Sequence, residues 1–277
     1  IGLILFGFTP ILSTYAAEQG RYQWNMPSDK ISTIDLSAFF RGYEGSFVLY
    51  DLKGDRWKIY DLEQATVRTA PDSTYKIYDA LFGLEEGVIA PDASFMAWDG
   101  TDYPFEAWNG NQDLLSAMQS SVNWYFEEID KQIGSSAIQS YIRKIGYGNE
   151  NANTNTSLSS YWMQDTLEIS PIEQVELLTA LYNNDFDFAP ENVDAVKKSI
   201  CLFSSENLSP ESKNFYGKTG TGRVNGQDVN GWFIGYIETA GKTYFFATNI
   251  QSTENATGSK AAEITLTVLS DMGIWKQ

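Results

Sequence analysis

Strand-like segments occur only near the two ends of this chain, and that order constrains the fold more than any other feature. Gly45–Asp51 (GSFVLYD) and Arg56–Tyr60 (RWKIY) read as a hairpin around the turn Lys53-Gly54-Asp55. Tyr216–Thr221, Gly231–Glu238 and Lys242–Asn249 read as three more strands, with turns at Asn225-Gly226 and Ala240-Gly241. Most of the chain between them has helical spacing. Ile77, Leu81, Leu84 and Val88 recur on one face of a helix that Gly87 closes. Leu114, Met118, Val122, Phe126 and Ile129 form a stripe that predicts one helix over Asp113–Ile133, and Ser135–Ile145 predicts another, ended by Gly146. The capping box Ser170-Pro171-Ile172-Glu173 starts a helix to Tyr182, and Pro190 starts one to Leu202. Residues 89–111 and 150–160 read as loops, and Glu263–Met272 as a closing helix. This order predicts an α+β fold: an antiparallel sheet assembled from both ends of the chain, flanked by helices, with a helical region inserted between.

The 277 residues are 43% hydrophobic and 20% charged, which supplies one large core or two lobes and argues against disorder. The net charge is −17 and no run of Lys and Arg exists, so a nucleic-acid partner is not expected. Histidine is absent. That excludes a Ser-His-Asp triad and argues against a zinc centre, and no metal is expected. Any base must then be Lys, a carboxylate or Tyr. The single cysteine, Cys201, sits in the apolar run Ile200-Cys201-Leu202-Phe203, which predicts a buried structural thiol.

The chain opens on Ile1 and reads as a fragment or processed form. Ile1–Ala17 is apolar and uncharged but shorter than the ~20 residues of a membrane span. Two readings fit. It is the outer end of a transmembrane helix whose start is missing, or a secretory apolar segment with small residues near Ala16 for cleavage. Either places the rest outside the cytoplasm. Residues 18–33 read as a linker and residues 34–277 as the functional domain.

Two short motifs carry the chemistry. Ser73-Thr74-Tyr75-Lys76 is an S-x-x-K at the mouth of a helix, and Lys218-Thr219-Gly220 is a K-T-G on a strand. A serine hydroxyl needs an adjacent base at neutral pH. Positions three apart share a helix face, so Lys76 can take the Ser73 proton if its own charge is suppressed. Alone, S-x-x-K also reads as a capping serine before a solvated lysine. The two motifs together, in this order, are the signature of serine β-lactamases and penicillin-binding proteins.

The flanks extend the likeness. Ser121-Val122-Asn123, Tyr147-Gly148-Asn149, Tyr161-Trp162-Met163-Gln164-Asp165, Ile169–Gln174, Gly231–Gly235 and the run Trp98–Phe126 follow in order. Over about residues 37 to 275 the chain resembles class D (oxacillinase-type) serine β-lactamases, and more closely the extracellular penicillin-sensor domain of BlaR/MecR-type signal transducers. The resemblance implies that Ser73 is acylated by an opening β-lactam ring. It implies that Lys76 is N-carboxylated by CO₂, its carbamate serving as general base, with the Trp162 indole as hydrogen-bond donor to that carbamate. The resemblance further implies that the backbone N–H groups of Ser73 and Thr221 form the oxyanion hole, that Lys218 and Thr219 of the K-T-G, completed by Gly220, hold the substrate carboxylate, and that Ser121 relays a proton to the leaving nitrogen. Read without the resemblance, Trp162 is equally a core aromatic, and Ser121 a mid-helix serine bonded to the preceding turn.

Asn123 departs from the class D pattern, which carries valine there. Its amide is expected to stabilise the protonated amine of Lys76 over the carbamate, so that the base is lost after acylation and the acyl adduct persists. An arginine expected near the last strand is also missing, leaving Lys260 and Arg223 as weak candidates. The resemblance thus implies an extracellular β-lactam receptor domain, with a membrane and metalloprotease portion upstream in the same protein. The alternatives are a secreted class D β-lactamase and a transpeptidase-like enzyme.

Overall fold

The computed structural model describes residues 21–153, 160–205, 213–239 and 241–275. The apolar segment Ile1–Ala17, Ala240 of one expected turn and residues 154–159 of one expected loop lie outside these. Among the described residues no helix is long and apolar enough to cross a membrane.

Among the described residues seven strands form one sheet: β1 (Ile31–Thr33), β2 (Glu44–Asp51), β3 (Arg56–Tyr60), β4 (Cys201–Ser204), β5 (Lys213–Val224), β6 (Gln227–Thr239) and β7 (Lys242–Gln251), in the order β1-β3-β2-β7-β6-β5-β4. The first hairpin therefore joins the C-terminal strands through β2 and β7, which pair from Glu44↔Gln251 to Asp51↔Tyr244. All pairings are antiparallel except the short edge pair β1–β3. Eight helices accompany the sheet among the described residues: α1 (Leu62–Ala65), α2 (Lys76–Glu85), α3 (Leu114–Gln119), α4 (Asn123–Ile133), α5 (Ser135–Ile145), α6 (Pro171–Asn183), α7 (Pro190–Ser199) and α8 (Gly258–Asp271).

The central strands are buried on both faces, which is why they read as continuous apolar runs. Val48, Ile234, Phe245 and Ala247 face the large core made with α2, α4, α6 and α7. Their neighbours Phe47, Leu49, Phe233 and Phe246 face a second core closed by Ile264, Val268 and Leu269 of α8. Each such fully buried aliphatic or aromatic side chain contributes roughly 1.5–3 kcal/mol. Helix α6 keeps its predicted capping box: the Glu173 amide donates to Ser170 Oγ at 3.3 Å and the Ser170 amide to Glu173 Oε2 at 2.9 Å.

Four expectations change. The predicted helix over Asp113–Ile133 is two helices, broken at Ser120–Val122, where Ser121 has φ 53°. The predicted helix to Leu202 stops at Ser199, and Cys201–Ser204 instead forms edge strand β4, leaving Cys201 half-buried rather than buried. The closing helix begins at Gly258, capped by Thr257. Residues 21–33, assigned above to a linker, lie on the body: Arg21 bridges Val67, Trp24 packs against Trp57 at 5.0 Å, and β1 pairs with β3.

Tyr147-Gly148-Asn149 anchors the segment that carries Trp162. The Asn149 amide donates to the Glu168 carbonyl at 2.9 Å, its side-chain nitrogen donates to the Thr166 carbonyl at 2.8 Å, and its Oδ1 accepts from the Glu168 amide at 3.1 Å. Gly148 has φ 52°, and a Cβ there would lie 1.9 Å from the Glu168 carbonyl oxygen. Gly148→Ala is therefore expected to lose roughly 2–3 kcal/mol of stability, read as a lower urea midpoint. A midpoint equal to the parent's rejects this account.

Candidate active site

Ser73 sits in a 3-10 turn, Asp72–Thr74, at the mouth of α2, and Lys76 is the first residue of that helix. In a 3-10 turn residues three apart eclipse one another. The junction thus sets Lys76 Nζ 3.0 Å from Ser73 Oγ. Asp72 starts the turn with φ 49°, a strained conformation for a residue with a side chain. Its carboxylate accepts from Asn230 Nδ2 of β6 at 2.7 Å and from Gln164 Nε2 at 3.0 Å, which pins the turn to the sheet and to the Trp162 segment.

The break between α3 and α4 serves the same lysine. With α3 ended, the Ser121 carbonyl and hydroxyl both face Nζ, accepting at 2.8 and 3.0 Å. Asn123 Oδ1 accepts at 2.5 Å, and its Nδ2 donates to Met163 Sδ at 3.4 Å. Ser121 is therefore not a mid-helix serine. The helical stripe hid the break because Met118, Val122 and Phe126 stay in the core on both sides of it.

Strand β5 supplies the second cation. Lys218 Nζ donates to Ser121 Oγ at 3.0 Å and to the Thr219 carbonyl at 2.8 Å, so one hydroxyl bridges the two lysines. Gly220 passes against the serine turn, where a Cβ would lie 3.0 Å from the Pro71 carbonyl and 3.3 Å from the Ser73 amide nitrogen. A side chain there would crowd the serine turn, so glycine suits the close approach of the K-T-G strand. Thr221 Oγ1 accepts from the Gly258 amide at 2.8 Å and so ties β5 to the start of α8. An open cleft of about 540 Å³ lies over these groups, lined by Ser73, Asn123 and Thr221 and by Phe105, Trp108 and Met163.

Lys76 is fully buried and Lys218 nearly so. None of the ion pairs found among the described residues includes either one. Burial, and then the charge of Lys218, pushes Lys76 well below the ordinary lysine range. Burial lowers Lys218 to about 7. A neutral Lys76 amine has two N–H groups for the Ser121 carbonyl and Asn123 Oδ1, which only accept. Its lone pair is then left for a hydroxyl. That is the arrangement a serine nucleophile requires.

Trp162 differs from its implied role. It is fully buried, with its ring 5.2 Å from Nζ, but its Nε1 donates to Asp130 Oδ2 at 3.1 Å and not toward the lysine. Lys260 pairs with Glu263 at 2.9 Å, and Arg223 with Asp228 at 2.8 Å on the cleft rim. Sequence reasoning missed Asp72, Asp79 and Asp130. The last two were detectable as charged residues at helical spacing on apolar faces, Asp79 three residues after Lys76 and Asp130 four after Phe126.

The family model described as penicillin binding protein transpeptidase domain matches residues 45–270, and this defines the class. Regulatory protein BlaR1 of Bacillus licheniformis is 43% identical over 99% of this chain. The methicillin resistance mecR1 protein of Staphylococcus aureus is 37% identical over 95% of it. The chain spans only 44% and 43% of those two proteins. The solved C-terminal domain of the Bacillus licheniformis BlaR penicillin-receptor has 44% identity and a TM-score of 0.83, covering 91% of this chain and 100% of that one. The chain belongs to the penicillin-binding transpeptidase-domain family, among the BlaR/MecR-type sensor domains.

Burial raises Asp72 to about 7, against the lowering effect of its bonds from Gln164 and Asn230. A carboxyl raised on folding binds its proton more tightly in the folded state. Its stabilising contribution is full at acid pH and is lost as pH climbs through about 7. Asp72→Asn cannot titrate. The parent's stability relative to this variant should therefore fall from about pH 5 to about pH 8 in paired urea melts. A gap that does not change with pH rejects the raised carboxyl.

Proposed function

We propose that this chain is the extracellular sensor domain of a membrane β-lactam receptor. Penicillins and cephalosporins acylate it on Ser73, and the adduct signals induction of antibiotic resistance. One observation carries the reading: Lys76, fully buried and with no ion-pair partner among the described residues, holds Nζ 3.0 Å from Ser73 Oγ. The neutral amine takes the hydroxyl proton as Oγ attacks the lactam carbonyl. The oxyanion that develops is met by the backbone N–H groups of Ser73 and Thr221. Lys218 and Thr219 bind the substrate carboxylate, and Ser121, bonded to both lysines, passes the proton to the ring nitrogen as the C–N bond breaks.

Desolvation gives Lys76 the neutral amine that can capture CO₂, so in the proposal a carbamate forms on Lys76 before acylation, serves as base in place of the amine, and is lost once Ser73 is acylated. The acceptors around Nζ favour the amine. Asn123 Oδ1, at 2.5 Å, takes an N–H and offers nothing to a carbamate oxygen. Without an anionic base, water is not activated for the second half-reaction and the adduct persists. In the intact protein we place Ile1–Ala17 at the end of a membrane helix, with a metalloprotease portion preceding it. The similarity to BlaR1 and mecR1 proteins more than twice as long as this chain supports that arrangement.

Intact-protein mass spectrometry of the purified chain with benzylpenicillin, followed over hours, tests the reading. A penicilloyl adduct that persists, and is absent from Ser73→Ala, is expected. Consumption of penicillin with only a transient adduct means a secreted β-lactamase instead, and no adduct ends both readings. Asn123→Val removes the amide acceptor and is expected to speed deacylation by about tenfold or more, followed as decay of the adduct mass. An unchanged decay rate refutes the role given to Asn123.

A further inference from the structure

Strand β4 and the Ile200 carbonyl pair with β5 no further than Gly217. Past that point no described strand covers this edge of β5, and Thr219, Thr221 and Arg223 line the active-site cleft with Ser73. Arg223 pairs with Asp228 of β6, and Gly222 with Asn230, so Val229 is an extra residue in β6. Such a bulge bends its strand and re-aims the side chains beside it. Here the two side chains meet at the mouth of the cleft, where Arg223 Nε donates to Asp228 Oδ1 at 2.8 Å. That bond uses one of the five N–H groups of the guanidinium. The Arg223 side chain is 58% exposed, so its terminal NH₂ groups are open to a ligand. The charged side chains lining this cleft are Asp72, Asp228 and Arg223, and Arg223 is the one cation among them. On a chain of net charge −17 it offers an anion local attraction within a repulsive field.

The proposed acylation fixes how a β-lactam lies along β5. Its carboxylate meets Lys218 and Thr219, and its ring carbonyl meets the Thr221 N–H. The carbonyl carbon is bonded on one side to the ring nitrogen, which leads to the carboxylate. On the other side it is bonded to the carbon that carries the acylamino arm. The arm therefore continues in the remaining direction, from Thr221 toward Arg223. Two residues of a strand advance about 6.6 Å, which is within reach of a substituent on the first carbon of that arm. Resting on the proposed function, we infer that Arg223 is a specificity residue: it favours penicillins whose acylamino arm carries an anionic group over those whose arm is neutral or cationic. Asp228 tempers the preference, because it competes with the ligand for the same guanidinium.

Second-order acylation rates for benzylpenicillin, its α-carboxy analogue and its α-amino analogue, read by rapid-quench mass spectrometry, test this. The quantity compared is the ratio of each analogue to benzylpenicillin within one protein, so a general change in reactivity cancels. Arg223→Gln is expected to lower the α-carboxy ratio about three- to fivefold, the scale of one exposed charge contact, and to raise the α-amino ratio. Asp228→Asn releases Arg223 and is expected to raise the α-carboxy ratio. Both effects shrink at about 0.5 M salt. A change of cleft shape alone moves the two ratios together, whereas a charge contact moves them apart. Ratios that stay at the parent's values in Arg223→Gln, or that move in the same direction, overturn the inference. If that variant does not fold, Asp228→Asn decides, and an α-carboxy ratio that does not rise overturns it. A parent acylated by none of the three overturns the proposed function and this inference with it. A parent that is acylated but whose variants leave the ratios unmoved overturns this inference alone.

Discussion

The cost of burying one amine organises this domain. Lys76 has no exposed surface and makes no ion pair among those found, so its charge has nothing to offset the loss of water. The neutral amine is the inexpensive form, and the neighbours of Nζ fit it: two oxygens that only accept, and two hydroxyls that can also donate. Several oddities of backbone follow from that environment. The positive φ at Asp72 starts the turn that aims Ser73, and the positive φ at Ser121 ends α3 so that a carbonyl and a hydroxyl face the lysine. Residues off the usual backbone regions persist only where their surroundings over-determine them. Here Asn230 and Gln164 hold the first, and the core packing of Met118, Val122 and Phe126 holds the second.

Two buried lysines and three buried aspartates lie within a few turns of one another, yet their charges are not matched into salt bridges. Four of the five are met by neutral partners instead, Lys76 by hydroxyl, carbonyl and amide oxygens, Lys218 by a hydroxyl and a carbonyl, Asp72 by two amides and Asp130 by a phenol and an indole, while Asp79 has no hydrogen-bond partner among the described residues. An ion pair would have fixed Lys76 as an ammonium and removed its lone pair. Neutral partners leave its protonation free to follow the reaction. Each unit of pKa shift is about 1.4 kcal/mol, so the price of this freedom is stability.

The parts of the fold that were legible are those where local chemistry and tertiary context agree. The Ser170–Glu173 box, Gly146 at the end of α5 and the 53–55 turn act through backbone hydrogen bonds within a few residues. Ser73, Lys76 and Lys218 were legible as motifs because their chemistry demands those types at that spacing. The break at Ser121 was not, since the apolar stripe runs through it without losing phase. Strand β4 was not, because Ile200-Cys201-Leu202 continues an apolar helix as well as it begins an edge strand. The direction of the Trp162 N–H could not be read either. It depends on Asp130, thirty-two residues earlier on another element.

The same locality separates a sensor from a hydrolase on one fold. Both half-reactions of an acyl-serine cycle need a base at Lys76, and the first can use the amine that the desolvated site already provides. The second needs a base that survives acylation. A tenfold change in that step is about 1.4 kcal/mol, the worth of one hydrogen bond donated or withheld. Sheet order, helix packing and the serine turn are all compatible with either outcome. In this chain the amide oxygen at 123 accepts from the lysine, and the indole at 162 faces a buried carboxylate. In the proposed receptor the acceptors around Nζ favour the amine, and a long-lived adduct follows from a handful of oriented dipoles around a single nitrogen.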